Sequence, residues 1–293
     1  MPKLIAGPIR LHRLAAGVDS EPYRRFSVTP LSPTIGAVLG DIDLRAAIDD
    51  ETMAELRRAL LEWKVIFFRD QHLTGPQHRD FASRWGELEV HPFLPQGETP
   101  EVVRFAKGVD EKGYENMWHS DVSWREVPSL GSVLRAVEVP PFGGDTLWCD
   151  MYSAYEGLPT RVRDRIDGLT AVHDFSTSFG ALMTPDDLAA MQERYPAVEH
   201  PVARTHPDTG RKLLYVNSIF TTHIVGIDRD ESDDLLELLY AQSRVPEYQC
   251  RFHWEAGSVA FWDNRSTQHY ACSDYYPDVR VMERATIIGD RPA

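Results

Sequence analysis

The sequence predicts a mainly β fold with flanking helices, built as a sandwich or jelly roll. Three observations lead there. Short apolar runs bounded by turn residues dominate the chain beyond residue 100. Helical periodicity is confined to early segments and one later insert. No internal repeat, low-complexity tract or linker divides the 293 residues.

The elements follow in order. Residues 51–64 place Leu56, Leu60 and Trp63 at helical spacing behind Asp49 and Asp50, which marks an acidic helix start. Residues 65–68 (VIFF) read as a buried strand. Thr74 and Pro76 open a second helix running to about Trp85. Residues 132–140 form a strand ended by a Pro-Pro-Phe-Gly-Gly turn, and 204–217 read as two strands around Pro-Asp-Thr-Gly. Residues 230–243 are a helix whose acidic first turn faces the positive end of the helix dipole. Strands return at 249–254, 258–264 and 280–288.

Composition narrows the function classes. The formal charge of −14 argues against a sequence-independent grip on nucleic acid phosphates. No apolar run reaches the roughly 18 residues of a membrane span. The first residues, broken by Pro8, Arg10 and Arg13, lack the apolar stretch of a signal peptide. Three cysteines without a C-x-x-C pair speak against a disulfide framework or zinc knuckle, and fit a reducing, cytoplasmic setting.

Eleven histidines offer many metal ligands, and the H-x-D pattern occurs three times. His78 and Asp80 fall in a helical segment, where i and i+2 diverge around the axis. His206 and Asp208 flank a proline in a turn, and turn chemistry explains Asp208. His119-Ser120-Asp121 lies in MWHSDVSW, which reads as extended. There i and i+2 share a face and can converge on one ion. Two ligands hold a catalytic metal poorly, so a distant third is expected among the remaining histidines. Two histidines and a carboxylate on one face of a metal leave positions open for a cosubstrate and O₂, as in non-haem iron(II) oxygenases. A zinc hydrolase can use the same set, although no H-E-x-x-H helix accompanies it here. Arg280 and Arg284, four apart on a strand, point to one face and are either a pair of anion clamps or a solvated edge.

At this point the chain resembles the taurine dioxygenase family of 2-oxoglutarate-dependent oxygenases. The motifs WHSDVSW, GGDTLWCDMYSAYEGLP, FWDNRSTQHYA and RVMERATIIGD carry the resemblance, which runs over nearly the whole chain. It implies a distorted double-stranded β-helix in one domain over 1–293. Helices would fill about 1–90, and a core over about 91–293 would carry a helical insert at about 150–245. It implies His119, Asp121 and His269 as Fe(II) ligands, and Thr146 and Arg280 as holders of the 2-oxoglutarate carboxylate. Arg284, His91 and the Val122 backbone would contact the substrate anion, with Phe179 and Phe220 as apolar walls. Without the resemblance, both phenylalanines read as core.

The implied reaction hydroxylates the carbon beside an anionic group, with succinate and CO₂ as coproducts. Taurine or a related sulfonate would lose sulfite and leave an aldehyde. An alkyl sulfate or carboxylate-bearing substrate fits the same chemistry, because Leu94 stands where the family's taurine enzymes have a tyrosine. Glu115, with Asn116 beside it, stands where they have an asparagine. A homo-oligomer is also implied. A zinc hydrolase or a non-catalytic binding module are the readings from other classes.

Overall fold

The computed structural model describes residues 11–90, 99–109, 112–113 and 116–293. Along the chain run β1 (Ser27–Pro30), β2 (Ala37–Gly40), α1 (Asp50–Trp63), β3 (Val65–Phe68), α2 (Gly75–Ser83), β4 (Val102–Lys107) and β5 (Ser129–Glu138). β6 (Thr146–Asp150), α3 (Met151–Glu156), α4 (Thr160–Ile166), β7 (Thr170–His173), α5 (Ser176–Phe179) and α6 (Pro185–Arg194) follow. Next come β8 (Val198–Pro201), β9 (Ala203–Thr205), β10 (Lys212–Leu214), β11 (Thr221–Ile224) and α7 (Arg229–Tyr240). The chain ends with β12 (Gln249–Phe252), β13 (Val259–Asp263), β14 (Thr267–Ala271) and β15 (Arg280–Ile288).

The fold is mainly β with helices. The largest sheet has seven strands in the order β1-β2-β3-β13-β5-β15-β4, and a three-stranded sheet runs β12-β6-β14. The VIFF run shows how they are layered. Its four residues are all buried, and a strand covered on both faces must be apolar throughout. Ile66 and Phe68 pack against α1 and α2 through Leu56, Leu60, Trp63 and Phe81. Val65 and Phe67 face the other way and meet Trp148 and Phe252 from the smaller sheet. The large sheet is therefore sandwiched between helices and the β12-β6-β14 sheet, and Phe67→Ala would cost about 3–5 kcal/mol.

Local chemistry sets the helix ends. The Asp49 carboxylate accepts the Thr52 N–H and starts α1, as the sequence predicts. Thr74 and Gln77 form a reciprocal capping box at α2. The helix ends at Ser83 rather than near Trp85. The first 90 residues also supply three strands of the large sheet, so this segment is not helical alone. The stretch 150–245 mixes α3 to α7 with a second three-stranded sheet, β11-β7-β8. Among the described residues, no helix is long and apolar enough to cross a membrane.

Candidate active site

A short bridge pairs His119 with His269 of β14, in the smaller sheet. Each donates its backbone N–H to the other's carbonyl, at 3.1 and 2.8 Å. Facing residues of an antiparallel pair present their side chains on one side, and the two imidazoles stand 4.2 Å apart. His119 Nδ1 lies 2.8 Å from the Met117 carbonyl, so that nitrogen carries the proton. Nε2 keeps its lone pair, the tautomer a metal needs. The Nε2 atoms of His119 and His269 are 3.8 and 3.9 Å from Asp121 Oδ1. One donor atom from each residue falls within 4.8 Å of the others.

Asp121 reaches this position by a route the sequence does not show. An extended backbone was expected through 119–121, but the chain turns from Asp121 onward. The side chain of Asn264, in the β13–β14 connection, holds that turn. Its Oδ1 accepts the Asp121 N–H at 2.7 Å and its Nδ2 donates to the Asp121 carbonyl at 2.9 Å. Burial alone would raise the Asp121 carboxyl. Arg284, His269 and His119 around it prevail and hold it down at about 2. Burial, and then His119, pull His269 down to about 3 despite the nearby Asp121. Both groups are thus ready-deprotonated ligands at neutral pH.

The cationic side comes from β15. Arg280, Met282 and Arg284 all face a cavity of about 110 Å³ that also exposes His119, His269 and Thr146. Arg284 Nη1 sits 3.1 Å from Asp121 Oδ1, and its guanidinium stacks over Phe105 at 5.1 Å. Its Nε is buried with no hydrogen-bond partner among the described residues. Arg280 Nε donates to the Gly144 carbonyl at 3.1 Å, and Nη2 lies 3.5 Å from Thr146 Oγ1. Gly144 adopts φ +66°, and a Cβ there would stand 3.0 Å from Arg280 Cδ, so glycine is required. Trp254 Nε1 donates to Thr146 Oγ1 at 3.0 Å, which frees the threonine's own hydrogen for a ligand.

Val122, Phe179 and Phe220 form a separate apolar cluster on the flank of His119. Phe220 lies 6.5 Å from the His119 ring and 6.3 Å from Phe179. Met183, Leu188 and Met191 continue this wall. Asn116 is not brought to the cavity: it is exposed and lines a different cleft with Trp118 and Tyr240. His91, Leu94 and Glu115 lie outside the described residues. The other H-x-D pairs stay apart from the site. His78 is buried against the Val133 carbonyl at 2.9 Å, and His206 Nε2 meets Asp263 Oδ2 at 2.9 Å. Among the described residues, no other trio of His, Cys, Asp and Glu converges. Asn264 and Trp254 were missed from sequence. Asn264 stands inside FWDNRSTQHYA, yet only its partner across the fold reveals its task.

The donor set fits a metal that accepts two imidazoles and one carboxylate with open positions beside two arginines. This is the class of mononuclear iron(II) oxygenases. The chain belongs to the family described as Taurine catabolism dioxygenase TauD, TfdA family, which matches residues 27–286. It is a 2-oxoglutarate-dependent dioxygenase, with Fe(II) as its metal and 2-oxoglutarate and O₂ as cosubstrates. It is 36% identical to an alpha-ketoglutarate-dependent sulfate ester dioxygenase of Pseudomonas putida, over 91% of each chain. It is 34% identical to an alkylsulfatase of Acinetobacter baylyi, over 92% of this chain and 87% of that one. A taurine dioxygenase structure from Burkholderia xenovorans superposes with a TM-score of 0.79 at 40% identity, covering 92% and 93% of the two chains.

Proposed function

We propose that this enzyme hydroxylates the carbon next to the anionic group of a small sulfonate or sulfate ester. The unstable product would release sulfite or sulfate and an aldehyde, with succinate and CO₂ as coproducts. The observation that carries the reading is Arg284, which lines the same cavity as His119 and His269 and stands 3.1 Å from Asp121 Oδ1. A guanidinium facing a cavity beside a metal site is suited to hold a substrate anion there.

His119, Asp121 and His269 would hold iron(II), which with 2-oxoglutarate and O₂ supplies the oxidant for the substrate C–H bond. The residues do the rest. Arg280 and Thr146 grip the far carboxylate of 2-oxoglutarate. Arg284 and the Val122 N–H hold the substrate anion, joined by His91, so that the carbon beside it faces the metal. Phe179 and Phe220 exclude water and bound the organic portion.

That wall supports a choice between substrates. The side chains of Phe179, Phe220, Met183 and Leu188 carry no carboxylate or oxygen acceptor for an ammonium group, whereas an alkyl chain packs against them. The described wall therefore favours an alkyl sulfate or longer alkanesulfonate over taurine, and the sulfate-ester relatives agree with that preference. The two facing sheets are read as the distorted double-stranded β-helix, in a cytoplasmic homo-oligomer that binds neither nucleic acid nor membrane. The test is succinate production with Fe(II) and 2-oxoglutarate over a panel of taurine, hexanesulfonate, hexyl sulfate and an aryloxyacetate. Stimulation by hexyl sulfate or hexanesulfonate above taurine is expected. Stimulation by the aryloxyacetate alone would defeat this substrate class.

A further inference from the structure

Val122 adopts φ +47°. In this left-handed region a β-branched side chain crowds its own backbone, at a cost of about 1–2 kcal/mol. Such strain persists only where the surroundings over-determine it, and here they do so from both sides. Ser123, His173, Asn217 and Asn264 are all fully buried.

Asn264 pins the Asp121 carbonyl at 2.9 Å. That carbonyl and the Val122 N–H belong to one planar trans peptide and point in opposite directions. Fixing the oxygen therefore aims the N–H away from Asn264. On the other side, Ser123 Oγ accepts Asn217 Nδ2 at 2.9 Å and lies 3.0 Å from His173 Nδ1. Asn217 also uses its Oδ1 to accept the N–H groups of Ile219 and Phe220, at 3.2 and 3.0 Å. One amide thus fixes both the turn at Val122 and the loop that carries Phe220.

We propose that Asn264, Ser123 and Asn217 are positioning residues that lock the Asp121–Val122 peptide with its N–H toward the substrate anion beside Arg284. The proposal rests on the functional reading above. The network gives the anion one donor from the Arg284 side chain and one from a backbone whose direction is set before binding, so little ordering is left for the moment of capture. It also couples the head group and the apolar wall, because a change at Asn217 reaches both.

The test uses the Fe(II)- and 2-oxoglutarate-loaded enzyme without O₂, with hexyl sulfate as the probe in calorimetry, beside crystal structures of the variants. Ser123→Ala removes the hydroxyl. Asn217→Asp keeps both acceptor bonds to the 219–220 backbone and loses the donor to Ser123, so it remains informative if the first variant fails to fold. In each, Val122 is expected to leave the positive-φ region and hexyl sulfate to bind about tenfold more weakly. Affinity for 2-oxoglutarate stays within about twofold, and in turnover KM for the probe rises while kcat holds. Retention of φ near its present value with unchanged probe affinity would overturn the proposal. A parallel loss of both affinities would do so too, since damage to the fold alone produces it. If the wild type binds neither hexyl sulfate nor hexanesulfonate, the substrate reading fails, and the Val122 conformation in the variants alone decides whether the lock exists.

Discussion

The two walls of the site are made of different material. The metal-facing wall consists of strands, a strand-like bridge and the turn at Asp121, with Asp121 and His269 buried, His119 braced by the Met117 carbonyl and Asp121 by Asn264. The outer part of the apolar wall, Phe179 with Leu188 and Met191, is carried by α5 and α6, neither of which contains a buried residue, and between them Leu182 is 74% exposed. Segments with few buried contacts open at low free energy, whereas central strands open only with the whole fold. The chemistry is held rigidly and the substrate's organic portion is met by an adaptable surface.

The comparison can be broken most decisively on the rigid side. Asp121→Ala removes one of three ligands and leaves Arg284 without its carboxylate. Succinate production should fall at least a thousandfold, with metal content lost in parallel by elemental analysis. Next in size, the two arginines should separate by ligand. Arg280→Ala should raise KM for 2-oxoglutarate about 100-fold, and Arg284→Ala should do the same for the anionic substrate, each leaving the other constant nearly unchanged. A shared effect would mean that both serve one anion.

On the adaptable side, Phe179→Ala should shift the preference between short and long alkyl sulfates by about tenfold with 2-oxoglutarate affinity intact. Loss of 2-oxoglutarate binding there would erase the distinction between the walls. The smallest effect concerns the scaffolds behind them. Burial, the larger influence at both sites, pulls His78 down to about 4 and His173 to about 3, so both stay neutral in the fold. The unfolded chain takes up protons below about 6.5, so stability should fall as pH drops from there toward 4. Each histidine contributes on the order of 3 kcal/mol to that loss. Thermal melting of His78→Gln across this range should show a shallower decline.

Much of the rigid side was legible in the sequence. The helix of Leu56, Leu60 and Trp63 and the VIFF strand follow from periodicity, because each packs an apolar face against one layer. His119 and Asp121 stood out as a pair because metal chemistry restricts residue type and spacing, and the family resemblance supplied His269. The strand β14 was not legible: Thr267, Gln268 and His269 are buried polar residues with no apolar alternation to mark a strand. The turn at Asp121 was hidden for a related reason. It depends on Asn264, 143 positions away, and no local pattern encodes a partner at that distance. The apolar wall was the least visible in residue pattern, since Phe179 and Phe220 read as core without the resemblance; the fold sets Phe220 beside His119 and Phe179 against Phe220.

The central claim is oxidation of an anionic substrate coupled to 2-oxoglutarate, and stoichiometry tests it directly. With Fe(II), O₂ and hexyl sulfate, succinate and sulfate should appear in equal amounts, and omission of 2-oxoglutarate should stop both. Sulfate released without 2-oxoglutarate, or with zinc in place of iron, would show hydrolysis and contradict the account.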